Sequence, residues 1–135
     1  MEMKILVIED DPATSRLVDY SLMHEGYHVI TASNGLEGIR KARSESPDLV
    51  ILDVMLPGMD GFEICQRLKS EPITAQLPIL MFSAKAQEID KDIGIIVGAD
   101  DYLTKPSAPA EIVRRVEKLL AKKKKAVPAQ EKVSG

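Results

Sequence analysis

Five polar side chains stand where apolar runs stop. Lys4-Ile5-Leu6-Val7-Ile8 ends in Glu9 and Asp10, and Leu49-Val50-Ile51-Leu52 runs straight into Asp53. Pro78-Ile79-Leu80-Met81-Phe82 ends in Ser83, and Asp101-Tyr102-Leu103-Thr104 in Lys105. Three carboxylates sharing a partly dry cleft repel one another unless a cation lies between them. Oxygen ligands with neither His nor Cys suit a hard ion, Mg²⁺ rather than Zn²⁺. A lysine and a hydroxyl beside such an ion are what a phosphoryl group requires. The cation and Lys105 would neutralise its charge, while Ser83 and backbone amides would donate hydrogen bonds. The remaining carboxylate is then free to act as the nucleophile toward phosphorus.

These groups meet only if the strands that carry them run parallel in one sheet. Four consecutive apolar residues before Asp53 fit a strand covered by helices on both faces, with Asp53 at its carboxyl end. Pro12 suits the opening of a helix, and Leu17, Val18, Leu22 and Met23 recur at helical spacing until Gly26. Tyr27–Ala32 reads as a second strand, punctuated by Asn34-Gly35, and Leu36–Ser44 as a second helix. After the turn Pro57-Gly58-Met59-Asp60-Gly61, the residues Phe62, Ile64, Cys65 and Leu68 mark a third helix, ended by Glu71-Pro72. A fourth helix is expected over Gln87–Val97 and a fifth from Pro109 to about Lys122. Five strands alternating with five helices argue for an α/β fold: a doubly wound parallel sheet built from right-handed βαβ units. Residues 1–125 form one domain in this reading, and 126–135, without apolar periodicity, a flexible tail or the start of a linker.

Composition narrows the classes. Hydrophobic residues make up 44% of the chain but aromatics only 4%, so the core is aliphatic. A formal net charge of -3 disfavours polyanion binding by the whole domain, and the lysine run 122–125 reads as a solvated helix end. The single Cys65 excludes an internal disulfide framework and fits a reducing compartment. The first apolar run is too short for a signal segment or a membrane span, so the expected location is the cytoplasm.

Four pieces together resemble the receiver domain of two-component response regulators: Ile8-Glu9-Asp10-Asp11-Pro12, Leu52 through Gly61, Phe82-Ser83-Ala84, and Gly98 through Pro106. The resemblance covers about residues 3–122. It implies a flavodoxin-like fold with strand order 2-1-3-4-5. Asp53 is implied to accept a phosphoryl group from a sensor histidine kinase or phosphotransfer protein. Glu9, Asp10, Asp53 and the backbone carbonyl of Met55 would hold Mg²⁺. Glu9 departs from the commoner Asp, keeping the charge on a longer arm. Ser83 would bind a phosphoryl oxygen, Lys105 would pair with the phosphoryl group, and Tyr102 would swing inward as a switch. A cis peptide bond is implied at Lys105-Pro106.

In that family the face of the fourth helix, fifth strand and fifth helix carries the output and can join two copies. Lys91, Asp100, Asp101, Glu111, Arg115 and Lys122 are the candidate charges there. Ile95-Ile96-Val97 and Ser107 depart from the family pattern, and at least one of the three apolar residues is expected to be exposed. The chain is thus expected to be a signalling switch, not an enzyme beyond its own phosphorylation and dephosphorylation, with no nucleic-acid or membrane contact of its own. Two alternatives stand beside it. One is the receiver part of a DNA-binding transcriptional regulator. The other is a Mg²⁺-dependent aspartyl phosphohydrolase, disfavoured because Met55 occupies the position where an acid/base carboxylate is needed. A flavin- or nucleotide-binding module is disfavoured because Glu9-Asp10-Asp11 would repel phosphates. His24 and His28 lack a partner pattern, Cys65 reads as core, and Asp11 and Asp60 read as serving a helix start and a turn.

Overall fold

The central run at residues 49–52 forms the strand on which the sheet is built. A computed structural model describes residues 2–134, with side chains to Lys123. Among the described residues the order is β1 (Lys4–Ile8), α1 (Pro12–His24), β2 (His28–Ala32), α2 (Gly35–Ser44), β3 (Leu49–Leu52), α3 (Gly61–Ser70), β4 (Ile79–Ser83), α4 (Glu88–Ile96), β5 (Asp101–Thr104) and α5 (Pro109–Ser134). All neighbouring strands are parallel, in the order β2-β1-β3-β4-β5. The expected α/β class and strand order are therefore observed.

Alternate residues of the strands feed two separate cores, as a period of two demands. Leu6, Ile8, Val50, Leu52, Ile79 and Met81 pack on one face with Ile39 of α2 and Ile64, Cys65 and Leu68 of α3. Ile5, Val7, Leu49, Ile51, Leu80 and Phe82 pack on the other with Val18 and Leu22 of α1 and Ile112, Val116, Leu119 and Leu120 of α5. Truncating one of these fully buried side chains to Ala costs about 2–5 kcal/mol. Cys65 is buried as expected, and burial pushes its thiol up to about 11.

Helix starts follow their caps. Asp11 accepts from Thr14 N (3.0 Å) and Thr14 Oγ1 (2.6 Å), ahead of Pro12 in the first turn of α1. Asp60 accepts from Glu63 N (2.9 Å) at the start of α3. Gln87 caps α4 instead of lying within it.

Other boundaries also differ from expectation. Ser83 lies inside β4 and pairs with Thr104, because the ladder continues one residue past the apolar run. The fifth helix continues beyond the expected end near Lys122 to Ser134. The side chains past Lys123 lie outside the described residues. No helix among the described residues is long and apolar enough to cross a membrane.

Candidate functional site

Between β2 and β3 the chain changes its direction of travel across the sheet, since β1 has β2 on one side and β3 on the other. Parallel α/β sheets open a crevice at that switch point, at the carboxyl ends of the strands. Glu9 and Asp10 follow β1, and Asp53 follows β3. Register joins them directly: Ile8 pairs with Leu52, and Asp53 N donates to Ile8 O at 3.1 Å. Carboxylate oxygens of Glu9, Asp10 and Asp53 lie within 4.8 Å of one another.

Lys105 enters from the far side of the sheet. Its backbone N donates to Ser83 O (2.9 Å), extending the β4–β5 ladder by one bond. The ammonium then donates to Glu9 Oε1 at 2.6 Å and to Asp53 Oδ2 at 3.2 Å. It also sits 5.4 Å from the centroid of the Phe82 ring, within cation–π range. The Lys105-Pro106 peptide bond is cis.

Burial makes this arrangement electrostatically tense. The Glu9 and Asp53 side chains are 4% and 6% exposed, whereas Asp10 faces water. Burial pushes the Glu9 carboxyl above its ordinary range, against the hydrogen bonds from Lys105 and from Asp11 N. For Lys105, burial lowers the pKa but the hydrogen bond to Glu9 and the charges of Asp53 and Glu9 outweigh it, so the net shift is upward. Each buried carboxylate uses both oxygens. Glu9 Oε2 accepts from Asp11 N (3.1 Å), and Asp53 Oδ1 accepts from Met55 N (3.1 Å).

The remaining expected residues are placed as follows. Ser83 is fully buried, and its Oγ accepts from Lys85 N at 3.3 Å. Tyr102 is half-buried and donates its hydroxyl to Lys85 O at 2.7 Å, so the backbone of Lys85 links both side chains. Burial pushes the Tyr102 phenol up. Met55 is 54% exposed and lines an open cleft of about 440 Å³ with Asp10, Pro57, Phe62 and Lys85.

Three contributors escape sequence reading. Phe82 serves as the floor beneath Lys105, a role that an aromatic just before a strand-end hydroxyl only hints at. Gly94 of α4 gives the Tyr102 ring its room: a Cβ there would lie 3.0 Å from Tyr102 Cδ2. Gly61 lets α3 begin against the acid strand, since a Cβ would meet the Asp53 carbonyl oxygen at 2.3 Å.

Several bland expectations hold. His24 stacks on Tyr20 with ring centroids 6.1 Å apart, and His28 is exposed. On the α4–β5–α5 face, Arg115 binds Asp101 through two 2.9 Å contacts and Glu111 at 2.8 Å. Glu111, held by Arg114 and Arg115, has its carboxyl lowered to about 2. Asp100 pairs instead with Lys69 of α3 at 3.1 Å. Ile95 and Ile96 are 69% and 80% exposed, while Val97 is half-buried.

The fold and the crevice match one class of protein. The profile of the response regulator receiver domain matches residues 5–117. The chain belongs to that family. It is 47% identical over 131 residues to the alkaline phosphatase synthesis transcriptional regulatory protein PhoP of Bacillus subtilis, covering 97% of this chain and 54% of that protein. The chain thus spans about half the length of the curated relatives it matches. A putative response regulator from Chloroflexus aurantiacus superposes with a TM-score of 0.86 at 38% identity, over 90% of this chain and 99% of that one. The receiver domain of the sensor histidine kinase PA1611 from Pseudomonas aeruginosa gives 0.83 at 26% identity, over 90% and 99%. That structure has a magnesium ion coordinated in its active site cleft.

Proposed function

We propose that the chain is a phosphorylation-controlled switch in which Asp53 accepts a phosphoryl group from the phosphohistidine of a sensor kinase or phosphotransfer protein. The observation that carries this is the convergence of Glu9, Asp10, Asp53 and Lys105 at the switch point of the sheet. Three carboxylate oxygens within 4.8 Å, with no nitrogen or sulfur donor, fit a hard divalent cation such as Mg²⁺. Asp10 and Asp53, with Glu9 and the carbonyl of Met55, would hold it. Such an ion, when bound, supplies positive charge to the phosphoryl oxygens.

The chain's own residues do the rest. An Asp53 oxygen attacks phosphorus, the P–N bond breaks, and its electron pair leaves on the imidazole, so that an acyl phosphate remains on Asp53. Met55 N, already bonded to Asp53 Oδ1, fixes the carboxylate plane. Lys105 transfers its ammonium from the carboxylates to the new phosphoryl oxygens, and the Ser83 hydroxyl turns to donate to one of them. Lys85 N loses its acceptor in that turn, and its carbonyl is the one that holds the Tyr102 hydroxyl. Movement at Ser83 therefore reaches Tyr102 and the α4–β5–α5 face through one residue of backbone. Met55 stands where an aspartyl phosphohydrolase needs an acid/base carboxylate, which disfavours that reading.

Incubation of the full chain with acetyl phosphate and Mg²⁺, followed by intact mass, should show a single phosphoryl adduct that Asp53→Asn abolishes. No adduct, or one that survives the substitution, overturns the assignment.

The output partner we assign to the α4–β5–α5 face, with a second copy of the chain as one occupant. Exposed Ile95 and Ile96 support this, since large apolar side chains side by side on a helix favour burial on association. Sedimentation should show a heavier species with the phosphoryl mimic beryllofluoride, reduced by Ile96→Lys. Unchanged monomer at high concentration tells against it. The similarity to a transcriptional regulatory protein supports a second reading, in which the switch controls a DNA-binding domain.

A further inference from the structure

We infer that Phe82 is a positioning residue for phosphoryl acceptance: its ring face holds the Lys105 ammonium at the cleft, a task that an aliphatic side chain of similar size cannot perform. This rests on the phosphoacceptor reading of Asp53 and adds a role for a side chain of the core.

Three observations carry it. The Lys105 ammonium donates to Glu9 Oε1 at 2.6 Å and to Asp53 Oδ2 at 3.2 Å, and the Phe82 ring centroid lies 5.4 Å from the same nitrogen. The negative face of an aromatic ring attracts a cation at that range, most strongly where water is scarce. Second, the ring is a fixed surface: Phe82 is 3% exposed and belongs to the core with Val7, Leu103 and Ile112. Third, register delivers the two side chains to each other. Phe82 pairs with Leu103, two residues before Lys105, and Lys105 N donates to the carbonyl of Ser83, the residue after Phe82. The Lys105 side chain keeps 18% exposure, so water competes for the ammonium. A leucine at position 82 would fill much of the same volume without the negative face. The ammonium would then spend more of its time turned to solvent.

Lys105 changes acceptors as the acyl phosphate forms, and the Phe82 ring is the neighbour it need not leave. The test grades the electrostatics of that ring at nearly constant shape. Phenylalanines carrying one, two and three fluorines, installed at position 82 of the full chain, progressively weaken the negative face and barely alter the packing. With acetyl phosphate and Mg²⁺, followed by intact mass, the rate of Asp53 phosphorylation should fall stepwise along the series. The fall should reach about threefold or more at three fluorines. A ring with only a packing role gives a flat series. Flat rates, or rates that rise with fluorination, overturn the inference.

Ordinary substitutions give a second readout. Phe82→Tyr keeps the ring face and should hold the rate within about twofold, whereas Phe82→Leu should lower it by about threefold or more. Each rate is taken well below the melting temperature of the variant, so that loss of fold is not read as loss of positioning. Phe82→Leu matching the parent also overturns the proposal. If the unsubstituted chain gains no adduct, the phosphoacceptor reading falls and takes this one with it. An adduct on Asp53 whose rate ignores the ring removes the role of Phe82 alone.

Discussion

Replacing Lys105 by Met should destabilise the ion-free protein by about 2 kcal/mol at neutral pH, below the figure for a fully buried pair because Lys105 keeps some exposure. The reason lies in what stays behind. Glu9 and Asp53 remain buried at 4% and 6% side-chain exposure, without the cation that now bridges them. The pH dependence gives the sign. Burial already holds the folded pKa of Glu9 above its ordinary value, and Lys105 is one of the groups pulling it down. Without Lys105 the folded value rises further. A carboxyl whose folded pKa exceeds its unfolded value stabilises the fold while protonated, and that contribution is lost as pH rises through the folded pKa. The deficit of Lys105→Met should therefore be larger at about pH 7 than at about pH 5. At alkaline pH the sign reverses. The raised pKa of Lys105 means its stabilisation is present below the ordinary lysine range and lost above the folded value, a loss the variant cannot show. Urea unfolding in EDTA, followed by circular dichroism at several pH values, measures all of this. Equal stability of variant and parent at neutral pH would contradict the account.

Gly61→Ala should be more damaging, by about 3 kcal/mol, with Tm lower by roughly 10 °C. A Cβ at this position would lie 2.3 Å from the Asp53 carbonyl oxygen and 2.6 Å from Val54 Cα. Both are backbone atoms, so no rotamer change relieves the clash. Gly61 N also donates to Val54 O at 2.8 Å, which ties the start of α3 to the loop after Asp53. Moving α3 away would break that bond and open the core at Ile64 and Cys65. Gly94→Ala is the natural comparison. Its Cβ would meet the ring edge of Tyr102 at 3.0 Å and Met81 Sδ at 3.2 Å, both side-chain rather than backbone atoms. Alanine also favours a helix interior by about 1 kcal/mol over glycine, so the net change there should be small. Thermal melts of both variants test the contrast, and equal losses would sink it.

Much of this protein was legible in its sequence because the signals are local. Apolar runs and helical spacing set the order of elements, and parallel strands send their carboxyl ends to one edge. Glu9, Asp10, Asp53 and Lys105 could therefore be placed together from position alone, and the structure brings them together. Caps at Asp11 and Asp60 were equally local. Tertiary structure decided what depends on distance. The contact between Glu9 and Lys105 joins residues 96 apart in the chain. It turns on the registers of β1, β3, β4 and β5, which leave no periodic trace. Ladder pairing with Thr104 drew Ser83 into β4, and the Lys85 backbone joined it to Tyr102. The exposure of Ile95 and Ile96 was set by how α4 seats against β5, where Gly94 makes room for the Tyr102 ring. Chemistry was written at strand ends; the cation that balances it in the folded chain was chosen by packing.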